Sequence, residues 1–337
     1  MIAGQRRERR EAIRVGTLCA GIVLLLGVMV TALAIGAVPI PLREVWRLFL
    51  FSGDADTVRI IYTLRLPRVI CASLAGADLA LSGCILQGIL RNPLADPGII
   101  GISAGAGLAA MLLMLTAPTW TAFVPMAAFV GGIAAAVIVF ALSWHRGIQP
   151  LRLVLAGVAV AAFFGGGMTA LSVFFSDKIQ GTVAWMAGGF AGSSWEYVRM
   201  ILPYSLIGIG GTFCCFRQLN ALQLGDEVAK TLGVHAARTR TILIIFAALL
   251  AAAAVSVAGL LGFVGLIIPH VMRLIVGSDF ETLLPASAIF GAVLVVAADI
   301  AARTVLSPME IPVGIFMSFV GAPFFLYLLQ RRMRHYE

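Results

Sequence analysis

Long apolar runs dominate this chain. They fall near residues 17–36, 66–90, 98–117, 121–143, 152–175, 197–216, 240–261, 264–276, 283–302 and 311–330. A helix needs about 20 apolar residues to cross the hydrocarbon core of a bilayer. Inside lipid a helix satisfies its backbone polar groups within itself, which an open strand or loop cannot do. The chain is therefore expected to be all-α, a polytopic membrane protein with about ten transmembrane helices; the run at 264–276 is the shortest. Composition agrees. Hydrophobic residues make up 61% and charged residues 12% of the sequence, against about 25% charged in ordinary soluble domains. One transmembrane domain is expected over 17–330, between short tails at 1–16 and 331–337. The first run could also be read as a signal peptide. It is long for one, and no small-residue cleavage site clearly follows before Pro39 and Pro41, so we read it as a retained first helix.

Ten crossings put both termini on one side, and the basic residues say which. Of the 24 Lys and Arg, 16 fall in the tails and loops on the side of the termini and 8 on the other. The positive-inside rule then makes the termini cytoplasmic. The net charge of +8 is spread between apolar runs rather than gathered on a face with interleaved aromatics, which excludes a nucleic-acid surface. The five cysteines lie in apolar runs without CxxC spacing and read as small core residues.

Four local features stand out. The stretch Arg91-Asn92-Pro93-Leu94-Ala95-Asp96-Pro97-Gly98 is a polar, proline-broken corner between two apolar runs; it must lie at a membrane face or against a partner. The longest polar interruption, 217–240, is placed in the cytoplasm and carries Leu224, Val228 and Leu232 at i, i+4 and i+8. Asp226 and Glu227 suit the first turn of a short helix there and Gly233 suits its stop. That helix is either a surface connector or a docking element for a cytoplasmic partner. Gly165-Gly166-Gly167, flanked by Phe163, Phe164, Phe174 and Phe175, is either a close-packing site or a flexible point on a helix lining a pore. Asp78, near the middle of the second run, is either protonated and bonded within the bundle, with Ser82 as the nearest partner, or faces a water-filled space.

No enzyme site is legible. His145, His235, His270 and His335 have no histidine partner at i+4, and Gly192-Ser193-Ser194 lacks the G-x-S-x-G of a nucleophile elbow. A phosphate-binding loop needs G-x-x-x-x-G-K-[ST]. The nearest approach, Gly225 to Thr231, lacks the second glycine and a preceding strand. If ATP drives this protein, another chain hydrolyses it.

Several stretches, in order, resemble the FecCD-type permease subunits of ABC importers for iron–siderophore, haem and cobalamin. They are Arg65-Leu-Pro-Arg68 running into Leu81 to Gln87; Arg91-Asn92-Pro93-Leu-Ala-Asp96-Pro97-Gly98 with Gly101 to Gly105; Trp185 to Phe190; Gly225 to Val234; Gly262 to Pro269-His270 with Arg273; and Ala298 to Arg303, Glu310 to Gly314 and Gly321 to Phe325. The resemblance runs from residue 65 almost to the C-terminus. Asp78 departs from it, standing where a small apolar residue is expected.

The resemblance implies a permease in the bacterial inner membrane that pairs with a second permease subunit, here expected as a homodimer. It implies two cytoplasmic ATPase subunits that carry the ATP and Mg, and a periplasmic or lipid-anchored binding protein; no cofactor is expected on this chain itself. It makes Leu224, Gly225, Asp226, Glu227, Ala229, Leu232 and Gly233 the ATPase-coupling residues. Arg65, Arg68 and Arg303 would face outward and pair with acids of the binding protein. Phe163, Phe164, Gly165, Gly166, Gly167 and Phe174 become pathway candidates. An ion-coupled secondary transporter is the alternative; it would want paired intramembrane ionisable groups, and Asp78 stands nearly alone. An intramembrane enzyme would want a catalytic pair, which is missing.

Overall fold

A computed structural model describes residues 2–36, 39–49, 54–144 and 150–333. His145, Arg146 and His335, with the end of the C-terminal tail, lie outside them. The chain runs through α1 (Ile2–Ala34), α2 (Leu42–Phe49), α3 (Ala55–Ile60), α4 (Leu66–Leu90), α5 (Ile102–Thr116), α6 (Val124–Ser143), α7 (Pro150–Phe174) and α8 (Gln180–Met186). It continues through α9 (Trp195–Cys214), α10 (Phe216–Gln223), α11 (Asp226–Thr231), α12 (Ala236–Ala258), α13 (Val264–Val276), α14 (Phe280–Thr304) and α15 (Val313–Met333). Among the described residues, ten of these helices coincide with the ten apolar runs: α1, α4 to α7, α9 and α12 to α15.

Six spans are long and apolar enough to cross a membrane unaided, and α9 joins them if its 54° bend into α10 is counted within one span. The apolar parts of α5, α13 and α15 are shorter. At 1.5 Å per residue the 13 residues of α13 rise about 20 Å, so its outer approach is made by the non-helical turn at 259–263. The helix α1 extends back to Ile2, so the segment read as a tail continues the first helix, whose membrane-length span is Glu11–Ala34. Residues 42–65 hold α2, α3 and a five-residue π-helix, Ile61–Arg65, that runs straight into α4. None of these carries an apolar run long enough to signal itself.

Burial sorts the spans. The most apolar windows are 83% buried in the span ending in α4 and 72% buried in α12, but only 22% in α1 and 17% in α7. Thus α4 and α12 form the axis of the bundle, while α1 and α7 present their side chains outward. The axis is close-packed because glycines meet across it. A β-carbon on Gly83 would overlap the Gly265 carbonyl of α13, and one on Gly76 would lie 2.8 Å from the Gly291 carbonyl carbon of α14. Small residues at such crossings let backbones touch, the usual source of helix association in lipid.

The polar corner after α4 satisfies itself. Arg91 ends α4 in the left-handed conformation, φ +49°. The Asn92 carboxamide oxygen accepts from the Leu94 amide at 3.1 Å and the Asp96 carboxylate from the Gly98 amide at 2.8 Å. Pro97 then opens a 3₁₀ turn, Pro97–Ile100, that leads into α5. The corner lies at the same end of the bundle as α11, against which Arg91 reaches.

Candidate functional site

At that end the chain from Leu219 to Leu243 builds an exposed ledge. α11 is a six-residue helix, shorter than the 224–233 stripe suggests. Gly225 precedes it at φ +112° and Gly233 follows at φ +78°, both in a region that favours glycine. Leu224 and Leu232 therefore flank the helix rather than sit within it. They remain exposed, at 63% and 60%, with Val228 between them at 43%. Ala229 is the fully buried residue that seats α11 on the bundle. Glu227, Lys230 and Gly233 line a hollow of about 570 Å³ on one side; Leu224, Leu232 and Asn220 line one of about 470 Å³ on the other. Three large apolar side chains among charged neighbours, next to two open hollows, have the form of a protein-docking surface.

Asp226 anchors the ledge. Arg240 donates to it bidentately, Nη1 to Oδ2 at 2.8 Å and Nη2 to Oδ1 at 2.7 Å. Arg91 donates through Nη2 to the same Oδ1, and through Nε to the Leu222 carbonyl at 2.8 Å. The Arg240 hydrogen bonds, with the charges of Arg240 and Arg91 behind them, hold the Asp226 carboxyl below the usual carboxylate range against some opposing burial. A depressed carboxylate contributes stability above its unfolded pKa of ~3.9 and loses it as pH falls through the folded value. The clamp is thus expected to be constant from neutral pH down to about 5 and to weaken below ~4; ledge protection against proteolysis across that range checks this. Beside it, Asp279 caps α14 and accepts from Asn220 at 2.8 Å and Arg14 at 3.2 Å. Burial raises its pKa, but these bonds and the Glu281 amide outweigh that, and it too titrates low.

The opposite end holds Arg65, Arg68 and Arg303, and here the expectation of outward-facing cations needs correction. The three are brought together, but they are turned inward. Arg65 donates to the Leu33 and Ala34 carbonyls at 2.6 and 2.9 Å. Arg303 donates to the Ile35 carbonyl at 3.0 Å and pairs with Asp299 at 3.1 Å. Both cap the C-terminal end of α1, whose last carbonyls have no intrahelical partner and carry the negative end of the helix dipole. Arg68 clasps Asp299 through Nε and Nη2, at 2.9 to 3.2 Å, and Glu310 through Nη1 at 2.9 Å. Asp299 is 1% exposed, Arg303 4% and Arg68 14%; Glu310, at 42%, is the member most open to solvent. The physical reason is desolvation: a guanidinium at the bundle end is stabilised more by orphaned carbonyls and a buried carboxylate than by isolation. Arg303→Ala should therefore lower stability by about 3 kcal/mol, the cost of breaking a buried pair, read as a fall in melting temperature. An unchanged melting temperature would remove Arg303 from the cap.

The remaining candidates divide. α7 is an unbroken helix through Gly165-Gly166-Gly167. Gly165 and Gly166 have nothing within 4 Å of a would-be β-carbon, while Gly167 meets Leu108 at 3.0 Å. Phe163 and Phe174 are exposed at 75% and 79%; Phe164 packs against the core. Asp78 is fully buried, and Ser205 of α9, rather than Ser82, donates to its Oδ2 at 2.5 Å. Ser82 donates to the Ala247 carbonyl instead. Pro269 is buried inside α13, and Arg273 one turn on donates to Gln87 of α4 at 3.0 Å. His270 is partly buried between them, and Asn92 and Pro93 lie in the corner.

Sequence reasoning missed the internal partners: Asp299 and Glu310 for Arg68, Arg91 and Arg240 for Asp226, and Ser205 for Asp78. All are long-range in sequence, 14 to 242 residues apart, and no local pattern signals such pairs.

Comparison with known proteins places this architecture. The model of the FecCD transport family matches residues 23–331. An iron(3+)-hydroxamate import permease of Bacillus subtilis is 41% identical over 94% of this chain and 83% of its own length. A cobalamin import permease of Halobacterium salinarum is 43% identical over 83% of this chain and 76% of its own. A hemin transport permease of Yersinia pestis is 39% identical over 88% and 90%. Among solved structures, a metal-chelate-type ABC transporter in an inward-facing conformation superposes with a TM-score of 0.83 at 32% identity, covering 93% of this chain and 98% of that one. With the family model spanning nearly all of the sequence and ten apolar helices in the matching fold, the chain belongs to the FecCD transport family.

Proposed function

We propose that this chain is the membrane-spanning subunit of an ATP-driven importer for an iron–siderophore or a related metal chelate. It works as a dimer in the bacterial inner membrane. Its ledge side faces the cytoplasm, where two ATPase subunits dock on Leu224, Val228 and Leu232. A binding protein delivers the chelate at the opposite end. The observation that carries this reading is the exposed apolar ledge around α11, set in a polar surround at the end with the greater share of Lys and Arg. Relatives that import iron–hydroxamate, hemin and cobalamin support the substrate class. Deleting the chain should abolish growth on ferric chelates as the only iron source. Intact growth, with loss of haem or cobalamin use instead, would reassign the substrate.

At the outer end, Arg68 and Glu310 form the rim of a hollow of about 330 Å³ with Trp185, Phe190 and Tyr197. Arg59 and Arg199 are exposed on the same side in this topology. Docking of the binding protein is assigned to this rim, with Arg65 and Arg303 in a supporting role behind it. A substitution of Arg59 and Arg199 together by Glu should weaken association at low salt and less at ~1 M, where the Debye length is about 3 Å. Equal affinity at low salt would place docking elsewhere.

The exposed α7 face is assigned to the pathway or to the second copy. Gly166→Val should cut uptake without lowering the melting temperature of the single subunit, because no atom of this chain lies in the way. A large stability loss with proportionate uptake loss would show that the glycines serve packing alone.

A further inference from the structure

The docking ledge and the buried axis of the bundle are joined at one carboxylate. Asp226 is the first residue of α11, between the exposed Leu224 and Val228. Arg91, the residue that ends α4, holds it from one side. Arg240, in the second turn of α12, holds it from the other and is 7% exposed. These two helices are the most enclosed in the bundle. Arg91 caps the end of α4 and donates both to Asp226 and to the Leu222 carbonyl, so one side chain joins the turn before α11 and its first residue to the end of α4. From there α4 runs 25 residues without a break to Leu66, carrying Arg68 and its clasp on Asp299 and Glu310 at the far end.

We propose that Asp226 is the latch through which movement of the docked ledge is transferred to α4 and α12, a positioning residue for transport rather than part of the docking surface. The inference rests on the reading of the ledge as the ATPase seat. Seating itself is apolar, through Leu224, Val228 and Leu232, and Ala229 packs α11 against the bundle. What those contacts lack is a rigid link into the axis helices, and the two arginines supply it. Bidentate guanidinium–carboxylate pairs fix geometry as well as distance, which is what transfer of a small displacement requires. A latch of this kind predicts that seating and coupling can be separated by mutation.

The test uses the complete importer, permease with its ATPase and binding protein, reconstituted in liposomes with ferric chelate as the probe. Asp226→Asn keeps the side-chain volume but turns an amide toward two guanidinium groups. The expected result is that the ATPase still co-purifies at wild-type stoichiometry. Both uptake and the stimulation of ATP hydrolysis by loaded binding protein should fall about tenfold or more, the range of ordinary coupling energies. Asp226→Glu should restore much of both. Arg91→Gln combined with Asp226→Asn should be no worse than Asp226→Asn alone, because residues in one network are non-additive. A merely structural role would lower the melting temperature and uptake together and would show no loss of stimulation per bound ATPase. Normal stimulation and uptake in Asp226→Asn would overturn the proposal, as would loss of the ATPase from that variant. Retention of the ATPase by a Leu224→Asp, Leu232→Asp variant would instead overturn the docking reading, whatever Asp226 does.

Discussion

Replacing Gly83 with valine should prevent the folded subunit from accumulating. Gly83 sits at the centre of the α4–α13 crossing. A β-carbon there would overlap the Gly265 carbonyl and lie 2.5 Å from the Gly265 Cα. These are backbone atoms, so no rotamer change relieves the clash; α13 has to move. It cannot move freely, because Gln87, one turn along α4, donates to the Gly265 carbonyl at 3.1 Å and accepts from Arg273 at 3.0 Å. The approach from the other side is also close, since a β-carbon on Gly265 would lie 2.8 Å from the Leu79 carbonyl. Overpacking a core costs about 1–3 kcal/mol and sometimes more, and a backbone-on-backbone clash belongs at the top of that range. Gly27→Val in α1, where nothing lies within 4 Å, serves as the control. Detergent-extracted yield and monodispersity read the outcome. A Gly83→Val subunit that elutes as a sharp peak with the control's melting temperature would mean that α4 and α13 do not cross as described.

Converting Leu224 and Leu232 to aspartate together should detach the ATPase while leaving the permease folded. Both side chains point into solvent and contribute nothing to the core, so folding should be indifferent to them. Burying a leucine at an interface is worth about 1.5–3 kcal/mol. Losing two therefore weakens association by roughly 3–6 kcal/mol, on the order of 10²- to 10⁴-fold. Introduced charge on an apolar seat adds desolvation to that loss. Pull-down of the ATPase on the immobilised permease measures it, with melting temperature as the control. Full recovery of the ATPase would show that the ledge is not its seat.

The parts of this molecule that could be read from sequence are those set by the bilayer. A run such as 66–90 has to be a helix because lipid offers no other way to satisfy its backbone, and α4 begins and ends at those residues. Gly233, just past α11, marks its end for a similar local reason. What stayed hidden depends on which distant groups meet. Arg65 and Arg303 look like docking cations because sequence displays their charge and their side of the membrane. It does not display the end of α1, whose carbonyls they cap. The position of Asp78 was legible as a buried carboxylate, but its partner Ser205 lies 127 residues away on α9. The three glycines of α7 lie within an unbroken helix, because a helix held by its own hydrogen bonds tolerates a weak propensity of about 1 kcal/mol per glycine.

The most direct test of the account is the energy source of transport. The purified permease, its ATPase and its binding protein would be placed in liposomes, and uptake of radioactive ferric chelate measured with ATP alone and with an imposed proton or sodium gradient alone. The account predicts uptake with ATP, none with a non-hydrolysable analogue, and none with either gradient. Uptake driven by a gradient in liposomes that hold the permease without the ATPase would contradict it.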